Sequence, residues 1–149
     1  NLNSRETFFI SNSSVSSLKI KDIYEKIIEG HIPKDETISI KKREFVIRKL
    51  ANRVAWFQFE QLCGGHIGAE DYIEMIKYTD QIIIENVPIF NNANANMQER
   101  FINLIDVLYD NNVQIIISSV KEIENLGSAF YLKDKFQRTV SRLIEMRSN

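Results

Sequence analysis

The chain has 149 residues, 44% of them hydrophobic and 26% charged, with a formal net charge of -1. That length supports one sizeable core, and the balance is that of an ordinary globular protein with no global field drawing it to nucleic acid or an anionic membrane. One cysteine, Cys63, excludes an internal disulfide framework and fits a reducing compartment. No apolar run approaches the roughly 20 residues of a membrane-spanning helix, and no secretory or transit peptide is visible. The absence of an initiator Met and the stop after an amphipathic helix predict a piece of a longer protein.

In chain order, residues 5–10 (R-E-T-F-F-I) predict a short strand, closed by a Ser/Asn cluster at 11–14 that can cap a following helix. That helix is expected over 16–29, with Ile20, Ile23, Tyr24, Ile27 and Ile28 on one face, and Gly30 ends it. Alternation over 37–48, with Ile38, Ile40, Phe45 and Ile47 on one side of a charged tip at 41–44, predicts a β-hairpin. Residues 54–59 (V-A-W-F-Q-F) are read as its third strand. Gly64, Gly65 and Gly68 then turn the chain into a helix over 69–78 with Ala69, Tyr72, Ile73 and Ile76 facing inward.

The strongest pattern follows. Two continuous β-branched runs, 81–87 and 113–119, flank a stretch at 94–110 with Met97, Phe101, Leu104, Ile105 and Leu108 at helical spacing. Such runs predict parallel strands buried on both faces and joined by a crossover helix, which should pack on Ile83 and Ile116. A looser connection over 120–132, broken at Gly127, leads to a last helix over 134–146 that buries Phe136, Val140, Leu143 and Ile144. The fold class is therefore α/β, in one domain: a parallel βαβ core with an added antiparallel β-hairpin and flanking helices.

Polar residues at the two strand ends, Glu85 and Asn86 on one and Ser118 and Ser119 on the other, should share the sheet edge where ligands bind in open α/β folds. The apolar strand ending in Glu85 resembles half of a nucleotide-hydrolysis signature, with Asn86 where a second acid would stand. No phosphate loop is present, because C-G-G-H-I-G-A at 63–69 lacks the Lys that must follow the last Gly. Cys63, His66 and distant His31 are too few for a zinc site. Lys41, Lys42, Arg43, Arg48, Lys49 and Arg53 lie close in sequence to Trp56, Phe57 and Phe59, a composition that can bind single-stranded nucleic acid. Charged hairpin tips are also ordinary, and two of these aromatics alternate as core positions do. Arg138 and Arg142 share a helix face with Glu145, opposite the apolar stripe.

Five blocks of this sequence resemble the ZapE/AFG-like ATPases: V-A-W-F-Q-F-E-Q-L-C-G at 54–64, G-A-E-D-Y-I at 68–73, N-V-P at 86–88, R-F-I-N-L-I-D-V-L-Y-D at 100–110 and F-Q-R-T-V-S-R-L-I-E-M at 136–146. The resemblance implies the C-terminal half of a P-loop ATPase of the AAA+ class, acting in cell division or protein quality control, whose phosphate loop lies upstream. It implies ATP and Mg²⁺ as cofactors of the parent protein, with neither expected on this stretch alone. It also implies Arg138, Arg142 and Arg100 as residues that contact phosphate, from their own or a neighbouring subunit. Implied partners are the N-terminal ATPase part of the same chain, neighbouring subunits of a homo-oligomer and a protein client. The implied location is the cytoplasm in bacteria or the mitochondrion in eukaryotes. The alternatives are an interaction module that never touches nucleotide and, ranked last, a nucleic-acid-binding hairpin.

Overall fold

The computed structural model describes residues 8–11 and 16–148, with residues 8–11 and Ser148 described by their backbone alone. Residues 5–7 of the first expected strand and residues 12–14 of the expected cap lie outside this set. In chain order the elements are β1 (Phe8–Ser11), α1 (Ser16–Ile27), β2 (Lys34–Ile40), β3 (Arg43–Leu50), β4 (Val54–Gln58), α2 (Phe59–Cys63), α3 (Ala69–Met75), β5 (Gln81–Val87), α4 (Ala95–Asp110), β6 (Gln114–Ser119) and α5 (Lys133–Ser148). Short 3₁₀ turns at Asn92–Asn94, Ile123–Asn125 and Phe130–Leu132 complete it.

The main sheet has the order β1-β6-β5-β4, and every pairing is parallel. β5, α4 and β6 form the expected βαβ unit, because Ile-rich runs buried on both faces need a covered parallel sheet. Strand alternation divides that burial in two. Ile82, Ile84, Ile115 and Ile117 belong to the large core with Phe101, Leu104, Ile105 and Leu108 of α4, together with Phe136 and Leu143 of α5. Ile83 and Ile116 point the other way, into a smaller core with Ile20, Ile23, Tyr24 and Ile27 of α1. The crossover helix therefore does not pack on Ile83 and Ile116, as the sequence suggested. Its partners are one position to either side, since consecutive residues of a strand face opposite ways.

β2 and β3 form a separate antiparallel pair. Lys41 and Lys42, both at positive φ (46° and 71°), make the two-residue turn whose twist suits a hairpin. β4 does not extend this pair. It leaves the hairpin and lies parallel to β5, Val54 opposite Gln81 and Gln58 opposite Glu85. Lys49, Asn52 and Arg53 also have positive φ, and these left-handed residues redirect the chain between the two sheets. Phe59 starts α2 and is not the end of the strand.

In α3 the buried residues are Asp71, Tyr72 and Met75, whereas Ala69 is exposed and Ile73 is 49% exposed. Asp71 is held inside because Arg43 grips both its oxygens and the Gly68 amide donates to it at 2.8 Å. A carboxylate bound in this way can occupy a core-facing position that an apolar-periodicity reading assigns elsewhere.

Candidate functional site

β5 and β6 both end at one edge of the parallel sheet, which brings Glu85, Asn86, Ser118 and Ser119 together as expected. Glu85 is only 4% exposed. Its carboxylate accepts from Trp56 Nε1 at 2.6 Å, Gln58 Nε2 at 3.0 Å and Ser17 Oγ at 3.4 Å. The register shifts between Ile84 and Val87, and Asn86 adopts φ 65° there. Asn tolerates this conformation better than most residues do. The Asn86 amide donates to Ser118 Oγ at 2.9 Å, and its side-chain nitrogen donates to Gln58 Oε1 at 2.6 Å. Ser119 Oγ donates to the Lys121 carbonyl at 2.5 Å. The edge is thus a closed polar network that ties β4, β5, β6 and α1 together.

Such a network does not fit a Mg²⁺ or triphosphate cradle. Its one carboxylate already serves three donors, and among the described residues no three His, Cys, Asp or Glu side chains come together in a way that could hold a metal ion.

The arginines separate into three environments. Arg142 on α5 bonds Asp106 on α4, and its guanidinium lies 4.9 Å from the Tyr109 ring centroid. Tyr109 in turn donates to Glu145 at 2.6 Å. Both interhelical bonds span 36 residues, so α4 and α5 run side by side in the same direction. Arg142 is therefore a lattice point between two helices and not part of a purely solvated face. Arg138, one turn earlier, is exposed and has no partner among the described residues. Arg100 sits on the first half of α4 and reaches the Cys63 carbonyl at 3.4 Å, over α2. Each of the three arginines thus has a different set of neighbours among the described residues.

The basic hairpin is largely neutralised. Lys41 bonds Glu70 at 2.6 Å, Arg43 bonds Asp71, Arg53 bonds Asp80 at 3.0 Å and Arg48 reaches Asp35 at 3.5 Å. Lys49 lies over the Trp56 ring at 4.2 Å. Phe57 and Phe59 are buried. Free cations interleaved with open aromatic faces, which single-stranded nucleic acid requires, are not assembled here.

Cys63 is buried, and His66 and His31 are exposed, so no cysteine–histidine pair forms. Burial pushes the Cys63 thiol up to about 12, which leaves almost no thiolate near neutral pH. In the folded protein Cys63 should resist a thiol reagent at pH 8 and react fully once guanidinium unfolds the chain. Rapid labelling without denaturant would contradict this burial.

A family profile described as AFG1-like ATPase matches residues 1–149, the whole chain. The chain belongs to the AFG1-like ATPase family. Among its relatives in that sense, an uncharacterised protein of Schizosaccharomyces pombe is 31% identical over 91 residues, covering 61% of this chain and 20% of that protein. Lactation elevated protein 1 homolog B of Danio rerio is 24% identical over 121 residues, 80% of this chain and 24% of its own length. Cell division protein ZapE of Escherichia coli is 28% identical over 112 residues, 75% of this chain and 30% of that protein. The chain thus spans less than a third of each of these relatives. No solved structure matches it. Among the described residues, no helix of this AFG1-like chain is long and apolar enough to cross a membrane.

Two residue groups escaped the sequence reading. Gln98 and Asp71 are buried polar side chains with full sets of partners, and their only sequence signal is a polar residue beside an apolar stripe. Phe130 and Tyr131 are 77% and 66% exposed, in a stretch with no periodicity to mark which way they face.

Proposed function

We propose that this chain is the C-terminal part of an ATP-hydrolysing protein of the AAA+ class, and that it contributes an arginine and partner-binding surface to a nucleotide site built elsewhere in the parent. The observation that carries this reading is a family match across the whole chain in a sequence that contains no phosphate loop. The parent protein would use ATP and Mg²⁺, and this part would hold neither alone. Arg138 is the best-placed of the three arginines to meet a phosphate, since it is exposed and, among the described residues, has no partner. Arg142 serves the α4–α5 contact, and Arg100 is turned toward α2. By kinship with cell division protein ZapE, the process served is cell division, in the cytoplasm if the source is bacterial. Protein quality control in the mitochondrion is the corresponding eukaryotic role.

The test compares two preparations. The full-length protein should hydrolyse ATP, whereas the 149-residue chain should give neither titration heat with ATP nor phosphate release. Turnover by the short chain would place a complete site within it and sink the proposal. Inactivity of the full-length protein would remove the ATPase reading itself.

A further inference from the structure

Three points along α4 hold the stretch that leads into α5 and forms it. Asp106 and Tyr109, in the second half of α4, take Arg142 and Glu145. Gln98, in the first turn, takes the residues just before α5. Its side-chain oxygen accepts from the Ala129 amide and its nitrogen donates to Ser128 Oγ, both at 2.8 Å. Ser128 Oγ donates in turn to the Ala129 carbonyl at 2.7 Å, so the bonds close around Ala129 and engage both its backbone groups. Neighbouring contacts fix the same stretch. The Phe90 amide donates to the Leu126 carbonyl at 2.7 Å, and the Phe130 amide donates to Asn92 Oδ1 at 2.8 Å. Gly127 sits at φ 76°, where a Cβ would stand 2.8 Å from the Phe90 carbonyl oxygen.

Gln98 is fully buried, one turn before Phe101 and Ile102 of the main core. Burying an amide costs free energy that its hydrogen bonds do little more than return. A methionine of similar length would therefore hold the two helices together about as well. What the amide adds is direction. A satisfied buried polar network specifies one arrangement, whereas apolar contacts are not directional. The Arg142–Asp106 pair is the looser guide, because both its side chains are partly exposed.

Arg138 lies between the attachment at Ala129 and the one at Arg142. It has no partner among the described residues, so what aims its guanidinium is the placement of α5 itself. We infer, on the reading that Arg138 meets a phosphate in the parent protein, that Gln98 is a positioning residue for it. By clamping the lead into α5, Gln98 fixes where that guanidinium stands. The clamp matters because a displacement of about 1 Å at a reacting centre can cost about 100-fold in rate.

The experiment uses the full-length protein and reads steady-state ATP turnover and the melting curve. Gln98→Met keeps the side chain's length and removes both its bonds. It should lower kcat about 10- to 100-fold with KM for ATP unchanged, because the arginine acts on the transferring group. Asn92→Ala removes the bond to the Phe130 amide from an exposed side chain, and should lower kcat in the same sense with an unchanged melt. In an Arg138→Ala background, either change should lower turnover by less than about twofold further, since a clamp acting through Arg138 has nothing left to position. A merely structural clamp would lower turnover by the same factor in both backgrounds. That result, or wild-type kcat in Gln98→Met (in Asn92→Ala, should Gln98→Met not fold), would overturn the positioning role and leave Arg138's own role standing. Wild-type turnover in Arg138→Ala would overturn both.

Discussion

Arg138→Ala in the full-length protein should leave the melting curve within about 0.5 kcal/mol of wild type and lower ATP turnover by about 10³-fold. The first half follows from position. α5 is held by Phe136, Thr139, Leu143 and Met146, all buried, while Arg138 is exposed and bonded to nothing described. The second half follows from what an arginine is worth against a phosphate. A guanidinium presents its donors as a rigid fork and keeps its charge, so losing one that meets the transferring phosphoryl group costs several orders of magnitude.

Arg142→Ala supplies the contrast. It removes the bond to Asp106 and the contact with Tyr109 across α4 and α5. Both ion-pair partners remain roughly a quarter exposed, so solvent screening limits the cost to about 1–2 kcal/mol. The two variants should therefore separate, one in turnover and the other in the urea or thermal melt. Wild-type turnover in Arg138→Ala would return that residue to plain solvent. A large fall in its stability would reveal a structural partner.

Much of this fold is legible in the sequence, for an identifiable reason. The Ile-rich runs of β5 and β6 are short, continuous and β-branched, and the helix between them carries a clean stripe from Phe101 to Leu108. Local preference and global burial agree there, and the reading succeeds. It fails where they diverge. β4 follows the hairpin so closely that it reads as a third antiparallel strand, yet three left-handed residues, Lys49, Asn52 and Arg53, carry it into the other sheet. None of the three is Gly, and Asn52 is the turn's single compositional mark, too weak alone to show that the chain changes sheet. In α3 the buried face contains Asp71, and an ion pair with Arg43, 28 residues away, is what makes that burial tolerable.

The site shows the same division. That Glu85 and Asn86 would share an edge with Ser118 and Ser119 follows from parallel strands ending together. That Trp56, Gln58 and Ser17 would consume the Glu85 carboxylate depends on the placement of β4 and α1, which the linear chain does not state. Likewise the spacing of Arg138 and Arg142 puts them on one helix face. Only the packing of α4 beside α5 gives one of them to Asp106 and leaves the other open.

Leu104→Ala should lower the unfolding free energy by about 2–5 kcal/mol, with little change in the slope of a urea melt. Leu104 is fully buried near the middle of α4, in the core shared by Ile84, Ile115 and Ile117 of the sheet and Phe136 and Leu143 of α5. Truncation there removes apolar atoms from a close-packed interior and leaves a cavity its neighbours fill only in part. Helix propensity works the other way, because Ala is the better helix former, but that gain is a fraction of a kcal/mol and cannot offset the loss. A control on the same scale is Leu18→Ala, at a position 64% exposed on α1, which should change stability by no more than about 0.5 kcal/mol. The loss at Leu104 is a large share of the 5–15 kcal/mol that typically holds a domain together. Equal melting midpoints for the two variants would place the Leu104 face of α4 outside the core and break the assignment of α4 as the helix covering β5 and β6.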